Sequence, residues 1–269
     1  MTSYPSKYVD INGLKTHYFE AGQGTPLVLV HGGGAGADAI GNWTYIIPEL
    51  ADHFHVIAVD MVGFGKTEVP ANDYVYSQDA RDEHLLAFIE QLGLGPVGLV
   101  GNSMGGLTSL GVARRRPDLV GKLILMGSAG IKMDFSPELL SIVHYDFTPE
   151  GMDRIVKGLT GPSFVPPNGL VDYRYQLTVS DEARRAYSGI IAWQKQNGGL
   201  HTDEDHIRSI SVPTLVVAGK NDLVVPLTSA YRFLELIPQS WGAIMPGCGH
   251  WPMIEQPRHF ATLLKTFIQ

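Results

Sequence analysis

The chain contains one cysteine, Cys248, so no disulfide can close within it and the fold has to be held by burial rather than cross-links. It has no basic run. Its 20 Lys and Arg are outnumbered by 27 Asp and Glu, for a net charge of -7. Such a chain offers little to counter a phosphate backbone or an anionic bilayer surface, so neither nucleic acid nor membrane is an expected partner. No apolar run reaches the roughly 18 residues that a membrane span needs, because Gly, Pro or a charge breaks every candidate stretch. Internal repeats and low-complexity tracts are missing, which removes stacked-repeat and disordered readings. The start, Met1-Thr2-Ser3-Tyr4-Pro5, lacks the charged-then-apolar pattern of a secretory leader. Together these absences make the cytoplasm the expected compartment.

What the sequence does have is a rhythm. Short apolar runs recur at Leu27–Val30, Val56–Val59, Val97–Val100, Leu123–Met126, Thr214–Val217 and Gly242–Met245, each followed by Gly, Asp, Ser or Pro. They predict buried parallel strands. Between them lie amphipathic stretches such as Leu85, Leu86, Phe88, Ile89 and Leu92, closed by Gly93. This alternation predicts an α/β fold with a mostly parallel, doubly wound sheet and sites at the strand C-terminal ends. The rhythm stops after Met126 and resumes at Thr214. Residues 131–208 are therefore expected to form a helical lid, inserted into a core made of residues 1–130 and 209–269.

The run ending at Val100 leads straight into Gly101-Asn102-Ser103-Met104-Gly105-Gly106 and then a helix-compatible stretch. G-x-S-x-G between strand and helix is the nucleophile elbow: Ser103 sits on a strained turn that only small neighbours permit. An oxyanion hole needs two backbone N–H groups, one from the residue after the nucleophile and one from the loop after an earlier strand. Met104 supplies the first; Gly33, in His31-Gly32-Gly33-Gly34-Ala35-Gly36, is expected to supply the second. The same loop also reads as G-x-G-x-x-A at Gly32, Gly34 and Ala37, with Asp60 available as a ribose-binding acid, but the elbow downstream gives the loop another task. Gly65-Lys66-Thr67 ends like a phosphate-binding loop, yet Asp60 stands where that motif requires Gly.

In this architecture the chain order is Ser, acid, His. His250 follows the last predicted strand, among the glycines of Pro246-Gly247-Cys248-Gly249-His250-Trp251, and is the candidate base. His31 belongs to the glycine loop, while His53, His55, His84, His206 and His259 read as surface or interface groups. Asp222, in Gly219-Lys220-Asn221-Asp222, follows the Thr214 strand and is the candidate acid. The loop Gly127-Ser128-Ala129-Gly130, where some relatives of this fold keep their acid, contains none. Cys248 reads as a small buried filler without chemistry.

His31-Gly-Gly-Gly-Ala-Gly-Ala37, Gly41-Asn42-Trp43, Asp60-Met-Val-Gly-Phe-Gly-Lys66, Gly101-Asn-Ser-Met-Gly-Gly106 and Cys248-Gly-His-Trp251 together resemble the meta-cleavage product hydrolases. These are bacterial carbon–carbon hydrolases with the α/β-hydrolase fold. The resemblance spans nearly the whole chain and is strongest to members of carbazole, dibenzofuran and biphenyl degradation; Ala35, where many members carry Pro, goes with the carbazole type. It implies an aryl dienoate as small-molecule partner, a 2-hydroxy-6-oxohexa-2,4-dienoate with an aryl group at C6. It further implies that Arg174 holds the dienoate carboxylate, with Arg184 and Arg185 as rivals, and that Gly32, Asn42, Asn102 and Trp251 surround the same end. A homo-oligomer, dimeric or larger, is expected. The chemistry requires neither a metal nor an organic cofactor, and no His/Cys/Asp spacing suggests one.

Rival readings keep the triad but change its use. A carboxylesterase or lactonase has no need of Asn42, Asn102, Arg174 and Trp251 as a set, and a hydrolase-fold receptor would bind ligand without turnover. Dehalogenase and epoxide hydrolase chemistry fail because their elbow carries a carboxylate where Ser103 stands. In the lid, Ile131, Met133, Phe135, Ile142, Phe147 and Trp193 are available to line an aryl pocket, although an apolar stripe there is ordinarily packing.

Overall fold

The computed structural model describes residues 4–269; Met1, Thr2 and Ser3, the start of the segment read above for a leader, lie outside it. Eight strands form one sheet: β1 (Ser6–Ile11), β2 (Leu14–Ala21), β3 (Thr25–Val30), β4 (Phe54–Val59), β5 (Val97–Asn102), β6 (Val120–Met126), β7 (Thr214–Gly219) and β8 (Ser240–Met245). Their order across the sheet is β1-β2-β4-β3-β5-β6-β7-β8. The six apolar runs became β3 to β8, paired parallel throughout. Sequence reading missed β1 and β2, which pair antiparallel with each other and, through β2, with β4. Their turn is Asn12-Gly13, with both residues at positive φ (53° and 85°), the conformation a tight two-residue hairpin requires.

Helices α1 (Ala39–Trp43), α2 (Ile47–Ala51), α3 (Gln78–Gln91) and α4 (Met104–Arg115) alternate with the first strands. Between β6 and β7 lie five more: α5 (Pro137–Val143), α6 (Pro149–Leu159), α7 (Leu170–Gln176), α8 (Asp181–Gln196) and α9 (Glu204–Arg208). Helices α10 (Leu227–Leu236), α11 (Pro252–Glu255) and α12 (Pro257–Ile268) complete the chain. Ser77, Ser136, Thr148 and Ser180 cap α3, α5, α6 and α8 by accepting a backbone N–H with their hydroxyls.

The topology itself opens a crevice. The chain goes from β3 outward to β4 and then returns past β3 to β5, so the loops leaving β3 and β5 diverge at the strand C-terminal ends. Because Val30 is in register with Gly101, the residues that follow, His31 to Gly33 and Asn102 to Ser103, are carried to one level. Ten residues of α4 are buried, so the helix has no solvent face before Arg114 and no amphipathic stripe for sequence to show. It lies almost on the sheet backbone: a Cβ on Gly105 would stand 2.4 Å from the His31 carbonyl oxygen, and one on Gly101 2.4 Å from that of Gly105. Only glycine fits. Gly105→Ala must push α4 off β3, and overpacking of this kind should lower the unfolding free energy by about 2–3 kcal/mol in urea titration. A change below about 0.5 kcal/mol, the range of neutral surface substitutions, would refute this packing account.

Candidate active site

Ser103 occupies the turn between β5 and α4 at φ 54° and ψ -121°, a conformation costly for a residue with a side chain. The turn is held by the Ser103 N–H bonding the Met126 carbonyl at 3.1 Å and by the Ser103 carbonyl accepting from Gly106 and Ala129. At the end of β7, Asp222 is almost fully buried and its carboxylate is fully engaged. Oδ1 accepts from the N–H groups of Val224 and Val225 at 2.8 and 2.9 Å; Oδ2 lies 2.7 Å from His250 Nδ1. An Nδ1–H donated to a carboxylate leaves Nε2 as the basic nitrogen. Ser103 and His250 line one cavity, but the Ser103 hydroxyl makes no hydrogen bond to any described residue.

The glycine loop faces the same space. His31 is buried and its Nδ1 lies 2.7 Å from the Gly32 carbonyl oxygen, while Nε2 accepts from Met61 N–H at 3.0 Å. Burial holds this imidazole below its usual pKa, which keeps it in the neutral form with one donor and one acceptor. Since C=O and N–H of a trans peptide point in opposite directions, fixing the Gly32 carbonyl aims the Gly33 N–H away from His31. Neither the Gly33 nor the Met104 N–H donates to a described residue. The two residues are in close contact: a Cβ on Gly33 would stand 2.5 Å from Met104 Sδ. Two free amides beside an exposed serine hydroxyl can accept the charge of a tetrahedral oxyanion.

The same cavity is lined by Asn42, Asn102, Arg174 and Trp251. Asn102 Nδ2 donates to the Met126 carbonyl at 3.1 Å, and its Oδ1 faces Asn42 Nδ2 at 3.4 Å. Arg174, only 1% exposed, donates from Nη2 to the Ala35 carbonyl at 2.8 Å and lies over the Trp251 ring at 4.9 Å. No carboxylate forms an ion pair with it among the described residues, and its Nε has no partner. Burial pulls its pKa down to about 10, which still leaves a full positive charge at neutral pH.

A family profile for the α/β hydrolase fold matches residues 25–165. The 2-hydroxy-6-oxo-6-(2'-aminophenyl)hexa-2,4-dienoic acid hydrolase of Metapseudomonas resinovorans is 48% identical over 99% of this chain and 92% of its own length. The crystal structure of a serine hydrolase involved in carbazole degradation, CarC, is also 48% identical; it superposes with a TM-score of 0.91 over 99% of both chains. The chain belongs to the meta-cleavage product hydrolases. A further member, the Pseudomonas fluorescens IP01 enzyme CumD solved as an S103A mutant with acetates, shares 31% identity and a TM-score of 0.92 over 97% of both chains.

In this meta-cleavage product hydrolase a second cavity adjoins the first and also reaches Ser103. Of the apolar residues noted in the sequence, Ile131, Met133 and Phe135 line it and Ile142 lines the first. Phe147 packs instead on Tyr145 and Tyr187, with Arg184 over its face, and Trp193 carries Arg81. Arg184 and Arg185 line neither cavity. Asp60 is no ribose ligand: it is buried, lies 2.7 Å from His17 Nδ1 and accepts from the N–H groups of Ala39 and Lys66. His84 corrects the surface reading, being buried against Thr16 at 2.9 Å, where loss of hydration pushes its pKa to about 4. Cys248 is buried and its thiol is raised well above the usual range by burial and the nearby Glu255.

Three residues that hold the hydrolase site were not found from sequence. Asp38 caps α1, accepting from Gly41 N–H at 2.7 Å, and receives the Tyr173 hydroxyl, which ties Asn42 to the helix carrying Arg174. Glu255 accepts from the N–H groups of Gly249, Trp251 and Gly161 at 3.0, 3.3 and 2.7 Å, clamping the His250 loop. Gly127, at φ 48°, backs the acid–base pair: a Cβ there would stand 3.1 Å from His250 Nδ1 and 3.2 Å from Asp222 Oδ2. An Asp just ahead of a short helix was a legible capping signal; the other two carried none. Gly127→Ala should leave far-UV circular dichroism native but cut kcat/KM on an activated aryl ester about tenfold, because the methyl group must shift the imidazole or the carboxylate by a few tenths of an ångström. Unchanged turnover would show that the pair tolerates the methyl group.

Proposed function

We propose that this chain hydrolyses the C5–C6 bond of 2-hydroxy-6-oxo-6-arylhexa-2,4-dienoates, releasing 2-hydroxypenta-2,4-dienoate and an aryl carboxylate. The observation that carries the reading is Arg174. A buried guanidinium without a carboxylate partner is costly unless a ligand supplies the anion, and its planar fork suits a carboxylate with an adjacent oxygen. A neutral ester gives it nothing to pair with, which favours the dienoate over the carboxylesterase or lactonase reading. Gly32, Asn42, Asn102 and Trp251 would surround the dienoate at that end. Residues 131–208 would act as the lid of a core formed by residues 1–130 and 209–269, since Leu139, Leu159, Arg174 and Gln194 from four of its helices line the cavity.

The reaction begins with ketonisation: the proton of the 2-hydroxyl passes to C5, carried by His250. Carbon C5 then becomes a leaving group whose electron pair can delocalise to the C2 oxygen. Next the Ser103 hydroxyl turns to His250 Nε2, gives up its proton and attacks C6; the Gly33 and Met104 amides receive the oxyanion, and Asp222 steadies the imidazolium. Collapse breaks C5–C6, the imidazolium proton completes the dienol, and the aryl acyl group stays on Ser103. Water, deprotonated by His250, releases the aryl carboxylate and restores the serine hydroxyl. All of these transfers use one base, and the net reaction releases one proton to solvent as the aryl acid ionises.

Coloured ring-fission dienoates should disappear at rates well above those of simple aryl esters, and Ser103→Ala should abolish turnover of both. Esters outrunning every dienoate would overturn the carbon–carbon reading. Arg174→Ala should raise KM for dienoates at least tenfold while ester kinetics stay within about threefold, the pattern of a lost binding contact. Equal losses on both substrates would remove the carboxylate-binding role.

A further inference from the structure

The leaving group and the acyl group take different places in the site. His250, which hands its proton to the leaving group, lines the first cavity and not the second, whereas Ser103 lines both. The leaving fragment therefore lies in the first cavity, and the group carried by the attacked carbon extends into the second. What bounds the second cavity decides how long that group can be. Three of its lining residues, Ile131, Met133 and Phe135, also line a surface groove that runs past Leu223 and Pro226. These side chains are the partition between the acyl cavity and solvent.

The partition is a short span between two fixed points. At one end the Gly130 N–H donates to the Leu200 carbonyl and the Gly130 carbonyl accepts from Thr202 N–H, each at 3.0 Å. At the other, Ser136 caps α5. Residues 131–135 belong to no helix or strand, and no backbone hydrogen bond to a described residue holds them. Side chains hold the span instead. Met133 is half-buried, with its sulfur 4.0 Å from the Ser229 hydroxyl. Phe135 is 42% exposed, yet its ring edge reaches the turn after α8, where a Cβ on Gly199 would stand 3.4 Å from Phe135 Cε1. One side of this ring meets water and the other meets the cavity.

We propose that Phe135 is a specificity-determining residue: its ring closes the solvent end of the acyl cavity and limits the length of the group at the attacked carbon. The para position of an aryl group lies on the axis that leads away from that carbon, so a para extension meets the partition first, while an unsubstituted ring stops short of it. Taking the Phe135 ring away joins the cavity to the groove and gives the extra length an outlet. The inference rests on the roles of Ser103 and His250 in the reading above and not on the identity of the leaving fragment, so an ester tests it as well as a dienoate.

The test uses two pairs of substrates, each a short and a para-extended form: 4-nitrophenyl benzoate with 4-nitrophenyl 4-phenylbenzoate, and 6-phenyl with 6-(biphenyl-4-yl) dienoate. The unmodified enzyme should handle each extended form about 30-fold less well in kcat/KM than its short partner. Phe135→Ala should raise kcat/KM for both extended forms about tenfold and keep the short ones within about threefold. Phe135→Leu, intermediate in size, should gain about threefold on the extended forms. Lys132→Ala, in the same span but lining only the groove, should change neither pair. Thermal melting checks that each variant is folded. An unmodified enzyme that accepts extended and short forms alike, or a folded Phe135→Ala that gains nothing on the extended ones, overturns the role of Phe135. A gain of the same size in Lys132→Ala would place the limit in the looseness of the span and overturn it too. Esters that follow the expected pattern while neither dienoate is hydrolysed would instead overturn the carbon–carbon reading and leave the Phe135 limit standing.

Discussion

The site depends on a steric contact in which side chains are missing. α4 approaches the backbone of β3 and β5 closely enough that a methyl group on Gly101, Gly105 or Gly106 would overlap a neighbouring carbonyl or the Ser128 side chain. That approach forces the chain to turn within one residue, and the residue is Ser103, at positive φ with its side chain over the crevice. It also brings Met104 against Gly33, so the two free amides meet beside the hydroxyl. The strained serine and the two free amides are thus consequences of one packing decision, made at the strand pair where the sheet order reverses. The helix has no slack to absorb an error there, because nearly all of it is buried.

Charge is arranged around that frame in two layers. Asp60 lies beneath the glycine loop; burial alone would raise its pKa, but hydrogen bonds from His17 and from the Lys66 and Ala39 amides hold it below the usual carboxylate range. Asp38, nearer the cavity, is pushed up to about 6 by burial and by the charge of Asp60, against the Tyr173 and Gly41 hydrogen bonds. The deeper carboxylate is the firmly ionised one, and it is spent on backbone and His17. Arg174 therefore faces the cavity with its charge only partly offset. That leaves an unpaired positive charge in the first cavity, while the adjoining cavity is lined by Ile131, Met133 and Phe135 together with Gln194 and His201.

How much of this could be read in the sequence depends on whether a role is local. β3 to β7 were legible because strands buried on both faces are continuous apolar runs, whereas β8, expected to be buried, is an edge strand with Trp241 exposed. β2 was not, since Leu14 to Ala21 mixes Lys, Thr, His and Glu among its apolar residues, and the Asn12-Gly13 turn that announces the hairpin was passed over. Ser103, Met104, Asp222 and His250 were readable because each occupies a fixed place in a strand–turn unit, and the structure brings Ser103, Met104 and His250 round one crevice with Asp222 behind the imidazole. Arg174 came through resemblance alone; in isolation it is one arginine of several between β6 and β7. Glu255 and Gly127 were illegible for a different reason. Their roles are set by which backbone amide or side chain arrives beside them after folding, and neither residue type nor spacing carries that information.

The inserted helices and the catalytic base are one mechanical unit. The His250 N–H donates to the Leu159 carbonyl at the end of α6, and Glu255 holds Gly161 together with Gly249 and Trp251. The two loops pass so closely there that a Cβ on Gly249 would lie 2.6 Å from the Gly161 nitrogen. On the other side, α7 is tied to the core through Tyr173 and Asp38 and through Arg174 and the Ala35 carbonyl. A displacement of Arg174 is therefore passed to the glycine loop that presents Gly33, and any shift at the end of α6 is transmitted to the imidazole. Substrate choice and acid–base geometry share these contacts, so a change in the inserted segment that alters one acts on the other.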